Sequence, residues 1–350
     1  MLAKIKAILL ISILTFSLGK VGLAEMTFAS WNINSLAIAE LGDAYKSGNS
    51  ETIEAAKEEN LRQLAHNSNS MLNDIGVVDT LVLLEVIFQE QVETIARENG
   101  FKYWAMSDFD GQDKVSKKPY NHLEVAVLSH YPFFGCHEWD RQSNDEPVHN
   151  NRDIECKLSD EKVIIKGDKE FTYGVNRGFL RVDFDNDLSL YAVHWKSSGG
   201  GDEIKNAKKR EYQATGLKKD AQKLLHEGRS IVVMGDYNIT AHPSRSGTNE
   251  VEDCDIKKPK SDYVCADNQD GYDDSISILM TLGNKAKLLS KDVKRTYLNK
   301  KFKDAAIDHI FVAGSQADTF GTAYTSSYDG KTYFGSDHKP IVVKTDLSWN

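Results

Sequence analysis

Six short segments of the sequence each place a polar or charged side chain at the end of an apolar run. The side chains are Asn32 in "WNI", Glu85 in "LLEV", His194 in "VHWKS", Asp236 and Asn238 in "MGDYN", Asp308 in "IDHIF", and Asp337 with His338 in "GSDHKP". A charge at the buried end of a strand is costly unless it is paired or bound to a metal. Local hydrogen bonding would explain one such residue. Six such segments on one chain indicate that their polar side chains belong to a common functional site. Carboxylates and histidines are the groups that bind divalent cations and move protons near neutral pH.

Short β-rich runs alternate with helical stretches, and these elements must hold the polar side chains in place. Strands are predicted at "MTFASWNI", "DTLVLLEV", "LEVAVLS", "GFLRVDF", "LSLYAVHW", "RSIVVMGDYNI", "AIDHIFVAG" and "PIVVKTDL". Helices are predicted at "ETIEAAKEENLRQLAHNSNSMLNDI", "QEQVETIAREN" and "IKNAKKREYQATGLKKDAQKLLHEG". The polar, weakly patterned regions 136–172 and 242–273 are expected to be long surface loops. This alternation favours a single mixed α/β domain.

The first 24 residues have the pattern of a secretory signal peptide. Two lysines precede an apolar run at residues 7–18, and Gly22 and Ala24 are small residues at the spacing of a cleavage site. The run is short for a membrane span, so we expect residues 1–24 to be removed and residues 25–350 to form the mature domain. An uncleaved N-terminal anchor is the alternative. The mature protein is expected to be a secreted or periplasmic monomer without an integral membrane span.

The chain is acidic, with 52 Asp and Glu residues against 43 Lys and Arg residues. Removal of the predicted signal peptide takes away three lysines and no acid, which leaves 40 basic side chains and a formal charge of −12. This charge argues against a strongly basic protein that binds nucleic acid tightly. It is compatible with an enzyme that contacts a few phosphates through a divalent metal.

The sequence contains four cysteines, an even number that suggests disulfides in an exported chain. Pairing between sequence neighbours would give Cys136–Cys156 and Cys254–Cys265, and the two other pairings remain open. No CxxC pair is present, so a structural zinc site is not expected.

In order and spacing, these segments resemble the endonuclease/exonuclease/phosphatase superfamily, the metal-dependent phosphohydrolases related to DNase I. The resemblance is carried by "SWNI", "DTLVLLEV", "VAVLSHYP", "NRGFLRVDF", "YAVHWKSSGGG", "VVMGDYN", "IDHIF" and "GSDHKP", from Ser30 to Pro340. It implies a four-layer α/β sandwich, in which two mixed β-sheets pack face to face with helices outside. Leu84 departs from the family pattern, because a Gln usually precedes the glutamate that corresponds to Glu85.

The resemblance implies a metal site and a catalytic histidine. Asn32 and Glu85 are expected to bind the metal, with Asp337 as a further ligand. Mg²⁺ is the expected cation because it prefers oxygen ligands, with Mn²⁺ or Ca²⁺ as alternatives. His338 is the expected general base, because a neutral imidazole titrates near working pH, and the resemblance assigns Asp308 to orient it.

The remaining site residues have chemistry suited to phosphate. Asp236 is expected to orient the attacking water or contact the metal, and Asn238 to donate its amide to a phosphoryl oxygen as charge builds. His194 is suited to give a proton to the leaving oxygen or to bind phosphate. Arg177 is a candidate phosphate clamp, and Lys196 a peripheral substrate contact.

The leading hypothesis is a metal-dependent phosphodiesterase that hydrolyses DNA or RNA, an endonuclease in particular. It rests on "VHWKS" and its Gly-rich continuation, which are more typical of the nuclease branch. A second hypothesis is a phosphomonoesterase or sphingomyelinase-like phospholipase that acts on lipid or phosphoinositide head groups. The aromatic-rich segment "TAYTSSYDGKTYFG" keeps it open. A third is an inactive binding or toxin-like module, which the complete set of site residues disfavours.

Overall fold

The computed structural model describes residues 25–109, 123–139, 149–152, 154–158, 177–197, 203–241, 273–299 and 305–347. The predicted signal peptide and the predicted Cys254–Cys265 bridge lie outside these ranges. Within them, no helix has both the length and the apolar character needed to cross a membrane. The described chain forms two seven-stranded sheets and five α-helices.

The first sheet brings the start, the middle and the end of the chain together. Its strands are β1 (Met26–Asn32), β2 (Thr80–Val86), β3 (Tyr103–Met106), β4 (Glu124–Ser129), β6 (His149–Asn150), β13 (Tyr324–Thr325) and β14 (Ile341–Thr345). Across the sheet their order is β13–β14–β1–β2–β4–β3–β6. Because β1 and β2 are parallel, their carboxyl ends reach the same edge of the sheet.

The second sheet repeats this arrangement with later segments. Its strands are β5 (Phe133–Trp139), β7 (Cys156–Leu158), β8 (Phe179–Phe184), β9 (Leu188–His194), β10 (Ser230–Asp236), β11 (Lys287–Leu288) and β12 (Asp308–Ala313). Their order is β11–β12–β10–β9–β8–β5–β7. The central strands β9 and β10 are parallel, so this sheet also has two strand carboxyl ends side by side.

Three apolar layers hold the sheets and helices together, as the alternation of side chains along each strand requires. On β1, Met26 and Phe28 pack in the layer between the two sheets, whereas Ala29 and Trp31 pack on the helix side. The helices are α1 (Leu41–Ser47), α2 (Ser50–Ile75), α3 (Gln89–Asn99), α4 (Glu203–His226) and α5 (Ser275–Met280). Helices α2 and α3 cover the first sheet, and α4 and α5 cover the second. The predicted four-layer α/β sandwich is confirmed.

The expectation of a surface loop over residues 136–172 is wrong in part. Strand β5 continues to Trp139, and both β6 and β7 lie inside this region. The register of β5 against β8 shifts between Phe133 and Gly135, which breaks the alternation that marks a strand in the sequence. Strands β6 and β7 are too short to give a period, so only tertiary pairing identifies them.

The predicted Cys136–Cys156 disulfide is present. It joins two residues that are register partners on the parallel strands β5 and β7. The bridge therefore fastens a three-residue strand at the edge of the second sheet.

Replacing both Cys136 and Cys156 by Ser is expected to lower the free energy of unfolding. The bridged residues are 20 positions apart, and closing a loop of this length contributes on the order of 3 kcal/mol in the chain-entropy model. Urea unfolding of the double variant measures the loss without touching the other two cysteines. An unchanged unfolding free energy would show that the edge strand holds without its bridge.

Candidate active site

The predicted site residues of both sheets meet at one rim of the sandwich. His194, Asp236 and Asp308 lie side by side on three adjacent strands, because Asp236 is the register partner of both others. On the facing sheet, Asn32 ends β1 and its Nδ2 donates to Glu85 Oε1 at 3.2 Å. His194 Nε2 lies 3.8 Å from Glu85 Oε1 and 3.8 Å from Asp236 Oδ2. This histidine therefore stands between the carboxylates of the two sheets.

His338 forms a hydrogen-bonded pair with Asp308. Its Nδ1 lies 2.8 Å from Asp308 Oδ2, and its Nε2 lies 3.8 Å from Asp236 Oδ2. The loop that carries His338 is tied to β1, because Ser336 Oγ donates to the Asn32 carbonyl at 2.6 Å and accepts from the His338 amide at 2.9 Å. Residues 304 positions apart are thus in direct contact.

Asp337 joins the site through a residue that the sequence patterns did not single out. Asn34 Nδ2 donates to Asp337 Oδ1 at 2.9 Å, and the Asn34 amide donates to Asn32 Oδ1 at 3.0 Å. Asp337 Oδ1 is 4.0 Å from His338 Nε2. The ring of Tyr297, also unpredicted, packs on His338 with 4.9 Å between centroids. Asn34 could have been predicted from the sequence, because it is the second Asn of "WNIN" and lies two residues after Asn32. No sequence pattern pointed to Tyr297.

Three predicted site residues have left-handed backbone conformations although none is glycine. The φ angles are 60° at Glu85, 64° at Arg177 and 55° at Asn238. Such conformations cost on the order of 1 kcal/mol or more and persist only where neighbours impose them. Asn238 N donates to Asp236 Oδ1 at 2.7 Å, and Gln213 Nε2 donates to the Arg177 carbonyl at 2.7 Å. Among the described residues, eight that are not glycine have a positive φ, and these three predicted site residues are among them.

Leu84, the departure from the family pattern, is fully buried between the sheets. The register of β2 against β4 shifts between Leu84 and Val86. This bulge lets Leu84 fill the core while Glu85 reaches the rim. The hydrogen bond to Glu85 comes from Asn32, so the carboxylate keeps a partner without the usual Gln.

The two predicted substrate contacts differ in how closely they approach the site. Arg177 Nη1 lies 3.3 Å from His194 Nε2, so its guanidinium is part of the cluster. Lys196 lies two residues beyond the end of β9, and its Nζ donates to the Ser197 carbonyl at 2.7 Å. Lys196 therefore stays at the border of the site, as a peripheral contact would.

The charge state of His338 follows from the acids around it. Burial alone would lower the pKa of His338, but Asp308, Asp236 and Asp337 outweigh burial and raise it to about 10. Burial, together with Asp308, raises the pKa of Asp236 to about 8. His338 is thus protonated at neutral pH, whereas its predicted role as a base needs the neutral ring. A divalent cation among these carboxylates would lower both pKa values, because its positive charge repels a proton.

His194 is in the opposite state. Burial and the positive charge of Arg177 hold the pKa of His194 well below its ordinary value, so the ring is neutral. Burial also raises the pKa of Glu85, and His338 opposes this shift. One rim therefore contains a charged and a neutral imidazole together, and each is suited to a different proton transfer.

The donor set fits a divalent cation. Asp236, Asp308 and His338 offer ligand atoms that all lie within 4.8 Å of one another, but the bond between Asp308 and His338 already engages two of these groups. The oxygen atoms of Asn32 and Glu85 suit Mg²⁺ better. In addition, a bound cation would take the place of the proton that the raised pKa of Asp236 keeps at the rim.

Glu124 is a buried acid in the predicted strand "LEVAVLS", but it was not predicted to be a site residue. It begins β4 and is 3% exposed. Its Oε2 accepts from Ser107 Oγ at 2.5 Å and from the Phe109 amide at 2.8 Å, whereas its Oε1 is buried without a hydrogen-bond partner. Burial raises the pKa of Glu124 from 4.5 to about 8. The carboxyl is therefore neutral at physiological pH.

Replacing Glu124 by Gln is expected to stabilise the protein at alkaline pH. Between pH 4.5 and about 8 the folded wild type keeps a proton that the unfolded chain has lost, so its free energy of unfolding falls as pH rises. The total is on the order of a few kcal/mol, and the neutral amide avoids this loss. Urea unfolding across this pH range measures the difference, with the exposed Glu155→Gln as a control that keeps the wild-type slope. Parallel curves for Glu124→Gln and wild type would contradict a buried, protonated Glu124.

The fold places the chain in a defined structural class. The architecture is the DNase I-like α/β sandwich. An AP endonuclease from Archaeoglobus fulgidus superimposes with a TM-score of 0.51 and 14% sequence identity, over 92% of this chain and 100% of that chain. An endonuclease/exonuclease/phosphatase from Beutenbergia cavernae DSM 12333 superimposes with a TM-score of 0.50 and 15% identity, over 93% of this chain and 72% of that chain. The sequence matches no family model and no curated protein.

Proposed function

We propose that this protein is a divalent-metal-dependent phosphoric ester hydrolase that cleaves phosphodiester bonds in nucleic acid. The observation that carries the proposal is the meeting of Asn32 and Glu85 from one sheet with His194, Asp236 and Asp308 from the other. The similar structure from Archaeoglobus fulgidus is an AP endonuclease, which supports nucleic acid as the substrate class.

The metal would be held by oxygen atoms of Asn32, Glu85 and Asp337. A bound Mg²⁺ would supply positive charge against the phosphate oxygens. Asp308 holds the His338 ring in one orientation through the 2.8 Å hydrogen bond. With the pKa of His338 lowered from about 10, its Nε2 would take the proton of the attacking water.

The other rim residues act on the phosphate and on the leaving group. Asp236 orients the attacking water, because its carboxylate faces His338 Nε2 at 3.8 Å. Asn238 donates its amide to a phosphoryl oxygen, and Arg177 adds a fixed positive charge. The neutral His194 ring has one N–H but lacks the acidic second proton of an imidazolium, so it enters the reaction as a phosphate contact or a proton relay.

The location of the protein is part of the proposal. A secreted or periplasmic protein is supported by the signal-like residues 1–24 and by the Cys136–Cys156 bridge, because disulfides persist in oxidising compartments.

The proposal is tested by incubating purified residues 25–350 with plasmid DNA, RNA, sphingomyelin and phosphoinositides, each with Mg²⁺ and with EDTA. Nicking of DNA or cleavage of RNA that requires Mg²⁺ is the expected result. If the folded protein hydrolyses none of these with Mg²⁺, Mn²⁺ or Ca²⁺, the proposed function is overturned and a binding module takes its place.

A lipid phosphate ester is the second candidate substrate, and one surface feature favours it. Tyr324 and Tyr328 lie in the aromatic-rich segment ahead of His338, with 37% and 43% of their surface exposed. Exposed tyrosines suit a membrane interface, where one end of the ring is apolar and the other is wet. Cleavage of sphingomyelin or phosphoinositide with intact DNA and RNA would select this candidate.

A further inference from the structure

The side chain of His309 lies on the opposite side of β12 from the catalytic rim, although it directly follows Asp308. It is fully buried, and both ring nitrogens have partners. Nε2 lies 2.8 Å from the Ile239 carbonyl oxygen, and Nδ1 lies 2.8 Å from Ser290 Oγ. A carbonyl oxygen only accepts hydrogen bonds, so His309 Nε2 carries a hydrogen whatever the protonation state of the ring.

The partner of this N–H belongs to the loop that carries a predicted catalytic residue. Ile239 follows Asn238, whose backbone is left-handed with a φ of 55°. The other side of the same loop is bound just ahead of β12, because the Tyr237 amide donates to the Ile307 carbonyl at 2.9 Å. The two hydrogen-bonded residues, Ile307 and His309, flank Asp308 in the chain.

The surroundings of His309 leave little freedom for the loop to move without it. The Tyr237 ring packs edge-on against His309, with 5.3 Å between centroids. Tyr237 also packs against Trp195, with 4.3 Å between centroids. The Asn238 side chain donates to the Trp195 carbonyl at 3.0 Å. The position of the Asn238 amide therefore depends on the packing of Trp195 and Tyr237, and His309 packs against Tyr237.

We propose that His309 is a positioning residue. Its Nε2–H donates to the Ile239 carbonyl and so fixes the position of Asn238 relative to the Asp308–His338 pair. The expected effect on kcat rests on the proposed hydrolase function. The expected effect on the structure of the loop does not. This role gives His309 a task beyond filling space in the core.

Two substitutions separate the two hydrogen bonds of the ring. In His309→Gln the side-chain amide lies where Nε2 was and can still donate to Ile239. In His309→Asn the amide lies where Nδ1 was, so the contact with Ser290 remains and the contact with Ile239 is lost. Because Asn is one methylene smaller than Gln, the melting temperature of each variant is measured as well, so that a loss of packing is distinguished from the loss of the hydrogen bond to Ile239.

The kinetic experiment measures kcat and KM of both variants on the substrate that the wild type cleaves. We expect His309→Asn to lower kcat on the order of ten- to hundredfold, the range found when a group that orients a catalytic group is removed. KM should change little, and His309→Gln should retain most of the wild-type kcat at a similar melting temperature. Equal kcat values for the two variants would overturn the inference.

A structural measurement tests the role of His309 even if the wild type cleaves none of the substrates. Long-range ¹H–¹⁵N spectra of the wild type should show the hydrogen of His309 on Nε2, and a neutral ring protonated only on Nδ1 would overturn the inference. Hydrogen–deuterium exchange of residues 236–240 should be faster in His309→Asn than in His309→Gln. Absence of all hydrolysis by the wild type would instead count against the proposed function and leave this structural result standing.

Discussion

Replacing His338 by Ala is expected to lower kcat for metal-dependent phosphate ester hydrolysis by on the order of a thousandfold, within the range for loss of a general base. The variant loses the ring nitrogen that faces Asp236 at 3.8 Å and the partner of Asp308 at 2.8 Å. It also leaves two buried carboxylates without their nearest positive charge. The pKa of Asp236, already raised to about 8, should therefore rise further. Initial rates at saturating Mg²⁺ measure the loss.

A matched control is available in His130→Ala. The His130 ring stacks on Phe101 with 4.6 Å between centroids, and His130 follows the end of β4 opposite the rim. This variant should keep wild-type kcat. Retention of hydrolysis within about tenfold in His338→Ala would be incompatible with a general base at this position and would move the catalytic centre elsewhere.

Replacing Glu85 by Gln is expected to have opposite effects on the metal-free and the metal-bound protein. Burial raises the pKa of the Glu85 carboxyl, so a neutral amide of the same size should raise the melting temperature in EDTA. The same change removes a charged oxygen ligand, so the extra stability that Mg²⁺ gives should disappear. A metal present at a hundred times its Kd stabilises by about 2.7 kcal/mol. We also expect kcat/KM to fall by about a hundredfold, as for a weakened metal site.

The neighbouring exposed Glu90 provides the control, because Glu90→Gln makes the same chemical change on the surface of α3. Differential scanning fluorimetry with a Mg²⁺ series and with EDTA compares the three proteins. Glu90→Gln should follow the wild type in both conditions. If Glu85→Gln kept the full shift with Mg²⁺, Glu85 would not be a ligand and the carboxylates of Asp236 and Asp308 would be the better candidates.

The fold was predictable from the sequence where a strand is long enough to show its alternation. The runs that became β1, β2, β4, β8, β9, β10, β12 and β14 are all strands in the structure. The strands that were missed are short, lie toward the sheet edges, or contain a register shift, as in β5 at Gly135. Such strands form because they pair with a neighbouring strand that is distant in sequence. A local sequence pattern does not show which strand that neighbour is.

The site was predictable to the extent that each residue follows a recognisable strand. Asn32, Glu85, His194 and Asp236 all lie at carboxyl ends of parallel strands, and such ends share an edge of a sheet. Asn34, Tyr297 and Glu124 were missed. Their importance comes from contacts across the fold, such as the ring of Tyr297 against His338.

The sequence specifies which chemical groups are present and that strands carry them to a common rim. Their charge states come from the fold, because a pKa depends on burial and on charges within a few ångströms. His338 meets three carboxylates and holds its proton. His194 lies buried beside Arg177 and stays neutral. The two histidines are chemically identical in the sequence, and the packing of the two sheets keeps one protonated and the other neutral.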